Sequence, residues 1–357
     1  MSSGLRVLCL SNMWPGPADP DYGSFVADMC AALERRGMSV DPVVIDHRGS
    51  GLARTPSKYA SLAARAVRHA RDADVIYAHY LFPTAAAAAV AARAAHIPYV
   101  VTAHGQDVRN LDRPSVRRAT AGALRGASSV IAVSRHLAEG LRASGLELPP
   151  VHVVNMGVDL ERFTPGDRAG ARARLDQPAA GPMILAVGGL TDRKNPLGLM
   201  QAFARVRTLR PAARLVFVGD GPLAGAIDVG VRQLGLEGAV IRTGALPHEQ
   251  VADWVAACDL LALVSRVEPL GIVALEALAG GRPVVATAVG GTREVVPAPR
   301  AGRVVDPRDP AGIARALLAV IDDPPSAEAC RRAAEPHGLD RQAARVAAIL
   351  EHAADRG

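Results

Sequence analysis

Short runs of Val, Ile and Leu alternate with Ala-rich stretches whose apolar positions recur at helical spacing, and the alternation continues along most of the chain. That pattern predicts strands and helices in turn, and hence parallel sheets flanked by helices. In the first half the predicted strands are Arg6 to Leu10, Val40 to Ile45, Val75 to His79, Tyr99 to Ala103, Ser129 to Val133 and His152 to Val154. A helix fits between the first two, from Ser24 to Arg36, closed by Gly37. After Phe163 the pattern breaks. Thr164-Pro165-Gly166 opens a polar, Arg-rich stretch that runs to Gly181-Pro182, with the composition of an interdomain linker. Strands then resume at Met183 to Val187, Arg214 to Val218, Val240 to Arg242, Leu260 to Val264 and Pro283 to Ala286. The last segment, Leu339 to Ala354, has helical apolar spacing and suits a helix that returns to brace the first domain, although periodicity does not say where it docks.

The expectation is therefore an α/β protein of two domains, 1–164 and 165–335, with a C-terminal helix within 336–357 packing on the first. Length agrees, because 357 residues exceed the roughly 250 to 300 at which single cores stop growing. Aromatic residues make up only 3% of the chain, so the cores must be aliphatic. The net charge of +6 is spread among interspersed acidic residues with no aromatic-basic alternation, which argues against nucleic acid as a partner. Cys9, Cys30, Cys258 and Cys330 have no metal-like or paired spacing and read as small buried hydrophobes of a reducing compartment. The apolar run Val7 to Leu10 is too brief for a signal peptide, and the Ala run from Thr84 to Val90 is too short to cross a bilayer. The expected location is the cytoplasm.

Open parallel sheets bind ligands beyond the C-terminal ends of their strands, so the loops that follow the predicted strands are the places to look. Four carry chemistry. Ser11 to Ser24 is rich in Pro and Gly, and Gly23 before a helix would let the backbone approach a phosphate. An ordinary loop is the competing reading, and the absence of a G-x-G-x-x-G run there disfavours a dinucleotide cofactor. Thr102 to Asp107 places His104 and Asp107 beside Gly105. Gly188 to Pro196 sets Arg193 and Lys194 beside glycines, and Lys194 is one of only two lysines in the chain, the other being Lys58. A diphosphate suits that pair, lysine as a point charge and arginine as a fork. Glu268 to Pro283 contains Pro269 and Gly271 at a predicted helix entry, with Glu276 about two turns inside an apolar helix. A buried carboxylate needs donors, and ligand hydroxyls would serve.

In this order the segments resemble glycosyltransferase family 4. The most specific match is the family's glutamate, seven residues, glutamate signature, with Glu268 and Glu276 in the carboxylate positions and Gly271 within it. Supporting matches are His104-Gly105 with Asp107, Ala132-Val133-Ser134, Asn155-Met156-Gly157-Val158-Asp159 with Phe163, Val218-Gly219-Asp220-Gly221-Pro222, and Val289-Gly290-Gly291-Thr292-Arg293-Glu294. The resemblance implies the GT-B architecture, two Rossmann-like parallel-sheet domains facing across a cleft, the first taking the acceptor and the second the nucleotide-sugar donor. It also implies roles. Arg193 and Lys194 would neutralise the donor diphosphate, Glu276 would hold ribose hydroxyls, and Glu268 and His104 would contact the transferred sugar. Gly23, Asp107, Gly188, Leu270, Gly271 and Ile272 would line the donor site, with Gly244 to Leu246 near the base.

The activity so implied is metal-independent, retaining transfer of a hexosyl unit from a nucleotide-diphosphate sugar, UDP-linked before GDP-linked, to a saccharide, lipid-linked or small-molecule acceptor. No cofactor besides the donor is expected. The family's frequent Arg is replaced by Gly189, which leaves Arg193 as the only nearby guanidinium for the diphosphate, while the replacement of its usual aromatic by Leu270 and of a common glycine by Pro269 removes no charged group. A nucleotide-sugar 2-epimerase of the same architecture and a non-catalytic sugar-nucleotide binder are the alternatives, and the glutamate signature argues against the first. Arg109, Arg113, Arg117, Arg118 and Arg125 form a basic stretch that suits either a solvated helix face or peripheral contact with acidic lipids at the inner membrane face.

Overall fold

The computed structural model describes residues 4–17, 19–47 and 55–356. Ala18, inside the Ser11 to Ser24 loop, lies outside the described residues. The chain forms two compact units, 1–157 with 339–357, and 158–338.

Unit 1 contains a six-stranded parallel sheet made of β1 (Arg6–Ser11), β2 (Ser39–Val44), β3 (Val75–His79), β4 (Tyr99–Ala103), β5 (Ser129–Ala132) and β6 (Val151–Val153). Its order is β2-β1-β3-β4-β5-β6. The central strands β3, β4 and β5 are buried along their whole length, as expected of strands covered on both faces, which is why they read as continuous apolar runs. The helix Leu339–Ala354 packs in this unit against the helix Ser24–Arg35 and against β3 and β4, burying Leu339, Val346 and Leu350.

Unit 2 repeats the design with β7 (Met183–Val187), β8 (Arg214–Val218), β9 (Val240–Gly244), β10 (Leu260–Leu263), β11 (Val284–Thr287) and β12 (Gly302–Val305). All neighbours are parallel, in the order β12-β11-β10-β7-β8-β9. The edge strand β12 escaped the hydrophobic pattern because Gly302 and Arg303 occupy half of it, and an edge strand needs less burial. The stretch from Thr164 to Pro182, linker-like in composition, instead contains the helix Arg168–Arg174 docked within unit 2. There Arg172 is 2% exposed, its guanidinium bonded to the carbonyls of Ala257, Ala179 and Gly181 and to Asp259. An arginine buried through such bonds looks like a solvated one in sequence.

Candidate functional site

In unit 2 the strand order changes direction between β7 and β10, so the loops leaving these strands part to opposite faces and open a crevice at their C-terminal ends. Those two loops carry the candidate charges. Lys194 Nζ donates to Glu268 Oε2 at 2.7 Å, and Ser265 Oγ donates to the same oxygen at 2.9 Å. The backbone locks the loops together, Arg266 N–H to Arg193 C=O at 2.8 Å and Asn195 Nδ2 to Val264 C=O at 3.3 Å. Gly188 lies beneath Lys194, where a Cβ would come within 3.4 Å of the lysine Cε. Arg193 is half-buried, and its guanidinium has no ion-pair partner among the described residues.

β10 leads to the helix Ile272–Ala279 through Leu270, which is buried, and Gly271, which caps the helix at φ 95. Only glycine fits comfortably there, because the backbone is left-handed and a Cβ would meet Leu263 Cδ2 at 2.9 Å. No side chain caps this terminus, so the first-turn amides face outward with the positive end of the dipole. The helix begins at Ile272, two residues later than the pattern suggested, which places Glu276 one turn inside. Its carboxylate is buried among apolar neighbours and finds a protein donor that sequence reasoning missed: His248 Nε2 lies 2.8 Å from Oε1. Arg162 Nη1 reaches His248 Nδ1 at 2.9 Å, and the Phe163 ring packs on the imidazole at 5.4 Å. An arginine can only donate, so His248 accepts at Nδ1 and carries its proton on Nε2, toward Glu276. His248 opens the helix His248–Ala257 directly after Gly244 to Pro247, so the loop expected near the base is joined to Glu276. A lone histidine 28 positions before Glu276 gave no sequence signal of this.

In unit 1 the strand order changes direction between β1 and β3. Gly23, at φ 75, heads the helix Ser24–Arg35 with no side-chain cap, and a Cβ there would lie 2.5 Å from the Met13 carbonyl carbon. The loop before it is pinned by Tyr22 Oη donating to Asn12 C=O at 2.8 Å. Asp107, 2% exposed, accepts from the backbone N–H groups of His104, Gly105, Val108 and Leu81. Burial pushes its carboxyl up while those four bonds pull it down. Asp107 therefore shapes the His104 loop through its backbone. His104 itself is half-buried among Phe25, His79 and Tyr80, and burial holds its imidazole down at about 3. Its Nε2 lies 3.1 Å from Nδ1 of His79, a residue the sequence marked only as a strand end. Beside Gly105 an open groove of about 520 Å³ is lined by Arg109, Arg117 and His136 among others.

Two motif residues make bonds that shape the backbone. Ser134 Oγ caps the helix Arg135–Ala143 through Leu137 N–H, and Asn155 Oδ1 accepts from Gly157 N–H. Among the described residues no group of three or more His, Cys, Asp or Glu converges as a metal would require, and no helix is long and apolar enough to cross a membrane.

Comparison with known proteins adds an independent line. A family model for glycosyl transferases group 1 matches residues 167–337, and one for glycosyltransferase family 4 matches residues 22–162. D-inositol 3-phosphate glycosyltransferase 1 of Catenulispora acidiphila is 34% identical over 89% of this chain and 82% of its own. The D-inositol 3-phosphate glycosyltransferase of Xylanimonas cellulosilytica is 30% identical over 96% and 94%. Among solved structures, Anabaena Alr3699/HepE in complex with UDP-glucose superposes with a TM-score of 0.78 over 99% of both chains at 24% identity. The two parallel sheets and these likenesses identify the fold as GT-B.

Proposed function

We propose, from the premise that the chain belongs to glycosyltransferase family 4, that it transfers a hexosyl unit from a UDP-sugar to a hydroxyl acceptor, with retention and without a metal ion. The observation that carries this reading is the Lys194–Glu268 pair at the β7–β10 switch point, beside the uncapped terminus of the helix Ile272–Ala279. As the bond from the anomeric carbon to the diphosphate breaks, negative charge grows on the leaving group. Lys194, Arg193 and that terminus stabilise it, and one strong preorganised donor contributes roughly 3 to 4 kcal/mol to a transition state. The acceptor oxygen bonds the anomeric carbon on the face the diphosphate leaves, and its proton passes to a donor phosphate oxygen. No protein nucleophile is required.

Glu268, oriented by Lys194 and Ser265 through one oxygen, offers the other to the sugar, and Glu276 likewise offers Oε2 to the ribose. Gly188, Leu270, Gly271 and Ile272 line the donor, Gly244 and Leu246 approach the base, and Gly23 and His104 contact phosphate and sugar. Asp107 acts by holding the His104 loop. UDP is favoured because HepE, with the same fold, is described in complex with UDP-glucose. Relatives named for D-inositol 3-phosphate, together with the arginine-lined groove, favour a phosphorylated polyol as acceptor.

Nucleotide release from UDP- and GDP-sugars, with and without inositol 3-phosphate, tests the reading. Acceptor-dependent UDP release that a chelator leaves unchanged is expected. Isomerised sugar without acceptor would mark an epimerase, and donor binding without turnover a silent binder. Rates abolished by the chelator and restored by manganese would overturn the metal-free mechanism.

A further inference from the structure

His79 ends β3 and is 0% exposed, with the Tyr77 ring at 4.3 Å and the His104 ring at 5.3 Å. Two ring nitrogens 3.1 Å apart share one proton, so either His79 donates from Nδ1 or His104 donates from Nε2. Burial keeps both rings neutral, which removes the doubly protonated alternatives. The two remaining arrangements differ at the far side of His79. Its Nε2 is buried, and no group among the described residues pairs with it. If His104 donated, His79 would need its own proton on that Nε2, leaving an N–H in the interior without an acceptor. If His79 donates, only a lone pair is left unmatched. Orphaned buried N–H groups are the rarer of the two. The second arrangement puts the His104 proton on Nδ1, the opposite of the tautomer that imidazole prefers in water. Phe25, with its ring 5.3 Å from His104, and Tyr80, at 6.3 Å and 18°, flank that ring and resist the flip that would exchange its nitrogens.

We propose that His79 is a positioning residue that holds His104 as its Nδ1–H tautomer, so that His104 meets the donor sugar as a hydrogen-bond donor and not as a base. The sugar contact rests on the function proposed above; the tautomer does not. A sugar oxygen that accepts from Nδ1–H keeps its own proton, which suits a mechanism whose only proton transfer is from acceptor to phosphate.

Nitrogen NMR of the isotopically labelled full chain at neutral pH, with His104 assigned by comparison with His104→Gln, reads the tautomer directly. A protonated Nδ1 and a bare Nε2 on His104 are expected. In His79→Leu the proton should move to Nε2, and kcat should fall roughly two- to tenfold, the size of a lost hydrogen bond between neutral groups, while the donor KM changes little. His79→Asn, whose amide N–H lies near the original Nδ1, should keep the tautomer and recover most of the rate. A parent protein with Nε2–H on His104, or a His79→Leu variant with an unchanged tautomer, overturns the proposal. Should His79→Leu fail to fold, the parent spectrum and His79→Asn still decide. If the tautomer is as stated but His104→Gln turns over donor at the parent rate, the sugar contact fails and the tautomer lock stands.

Discussion

At the scale of single residues, the candidate site in unit 2 holds Lys194, Glu268 and Glu276 in bonds to protein partners and leaves Arg193 without an ion partner among the described residues. Lys194 is bound to Glu268, so under the proposed function it would meet a diphosphate with its orientation settled and some of its charge offset. Arg193 has no ion partner among the described residues, so its charge is not offset in this way. Hydrogen bonds to charged groups contribute about 1.5 to 3 kcal/mol, so Arg193→Ala and Lys194→Ala should each weaken UDP binding roughly ten- to hundredfold by calorimetry. Lys194→Ala should also cost stability, because it leaves the buried Glu268 with Ser265 alone. Unchanged UDP affinity in both variants would remove the phosphate assignment. Glu276→Gln should weaken donor binding by a similar factor. A 2′-deoxyribose donor should lose less affinity with the variant than with the parent, since both changes delete one contact. Losses that simply add would confine Glu276 to its bond with His248.

At the scale of elements, what holds the crevice in shape is a set of ties between strand starts and a short helix. Asp259, just before β10, accepts from Arg172 Nη2 at 2.5 Å, from Met183 N–H at 2.6 Å and from Arg168. One carboxylate thus joins the helix Arg168–Arg174 to the beginnings of β7 and β10, the two strands whose far ends bear the site. Arg172→Ala should lower stability by about 3 kcal/mol, the penalty of uncoupling a buried pair, with a lower denaturant midpoint and an unchanged m-value. A drop below about 0.5 kcal/mol, typical of a surface change, would show that Arg168 suffices. Composition made this segment look like a linker, because burial of an arginine depends on carbonyls that come from two separate places in the chain, 179–181 and Ala257.

At the scale of the whole molecule, the buried imidazoles of unit 1 make stability depend on pH. Burial depresses His79 and His104, and burial with nearby His352 and Arg345 depresses His152. Above the unfolded histidine value of about 6.5, folded and unfolded chains bind the same protons at these sites. Below it the unfolded chain takes up protons that the folded one refuses, so stability falls as pH falls, by up to about 1.4 kcal/mol per pH unit for each of His79 and His104 and by less for the half-buried His152. Asp107, raised by burial, acts in the opposite sense as it protonates. Between pH 7 and 5.5 the parent should therefore lose denaturation midpoint more steeply than His79→Leu, although the variant starts lower. Equal slopes would mean that His79 is not neutral in the fold for the reason given.

The periodicity of apolar residues is a local property, and it determined most of what is local here: β3, β4, β7 and β8 at their observed bounds, the helix Leu339–Ala354, the loops in which Lys194, Glu268 and His104 would sit, and the apolar helix that carries Glu276. The glutamate spacing pointed to the family for the same reason, since both carboxylates belong to one strand-loop-helix segment. Strand order was not legible, because pairing β7 with β10 rather than with a sequence neighbour depends on how whole layers cover one another. Nor were the distant side-chain partners of the site residues. His248 reaches Glu276 across 28 positions, Lys194 reaches Glu268 across 74, and His79 reaches His104 across 25. Hydrogen bonds form over about 3 Å of space, whatever length of chain lies between their ends, and only the tertiary structure brings those ends together.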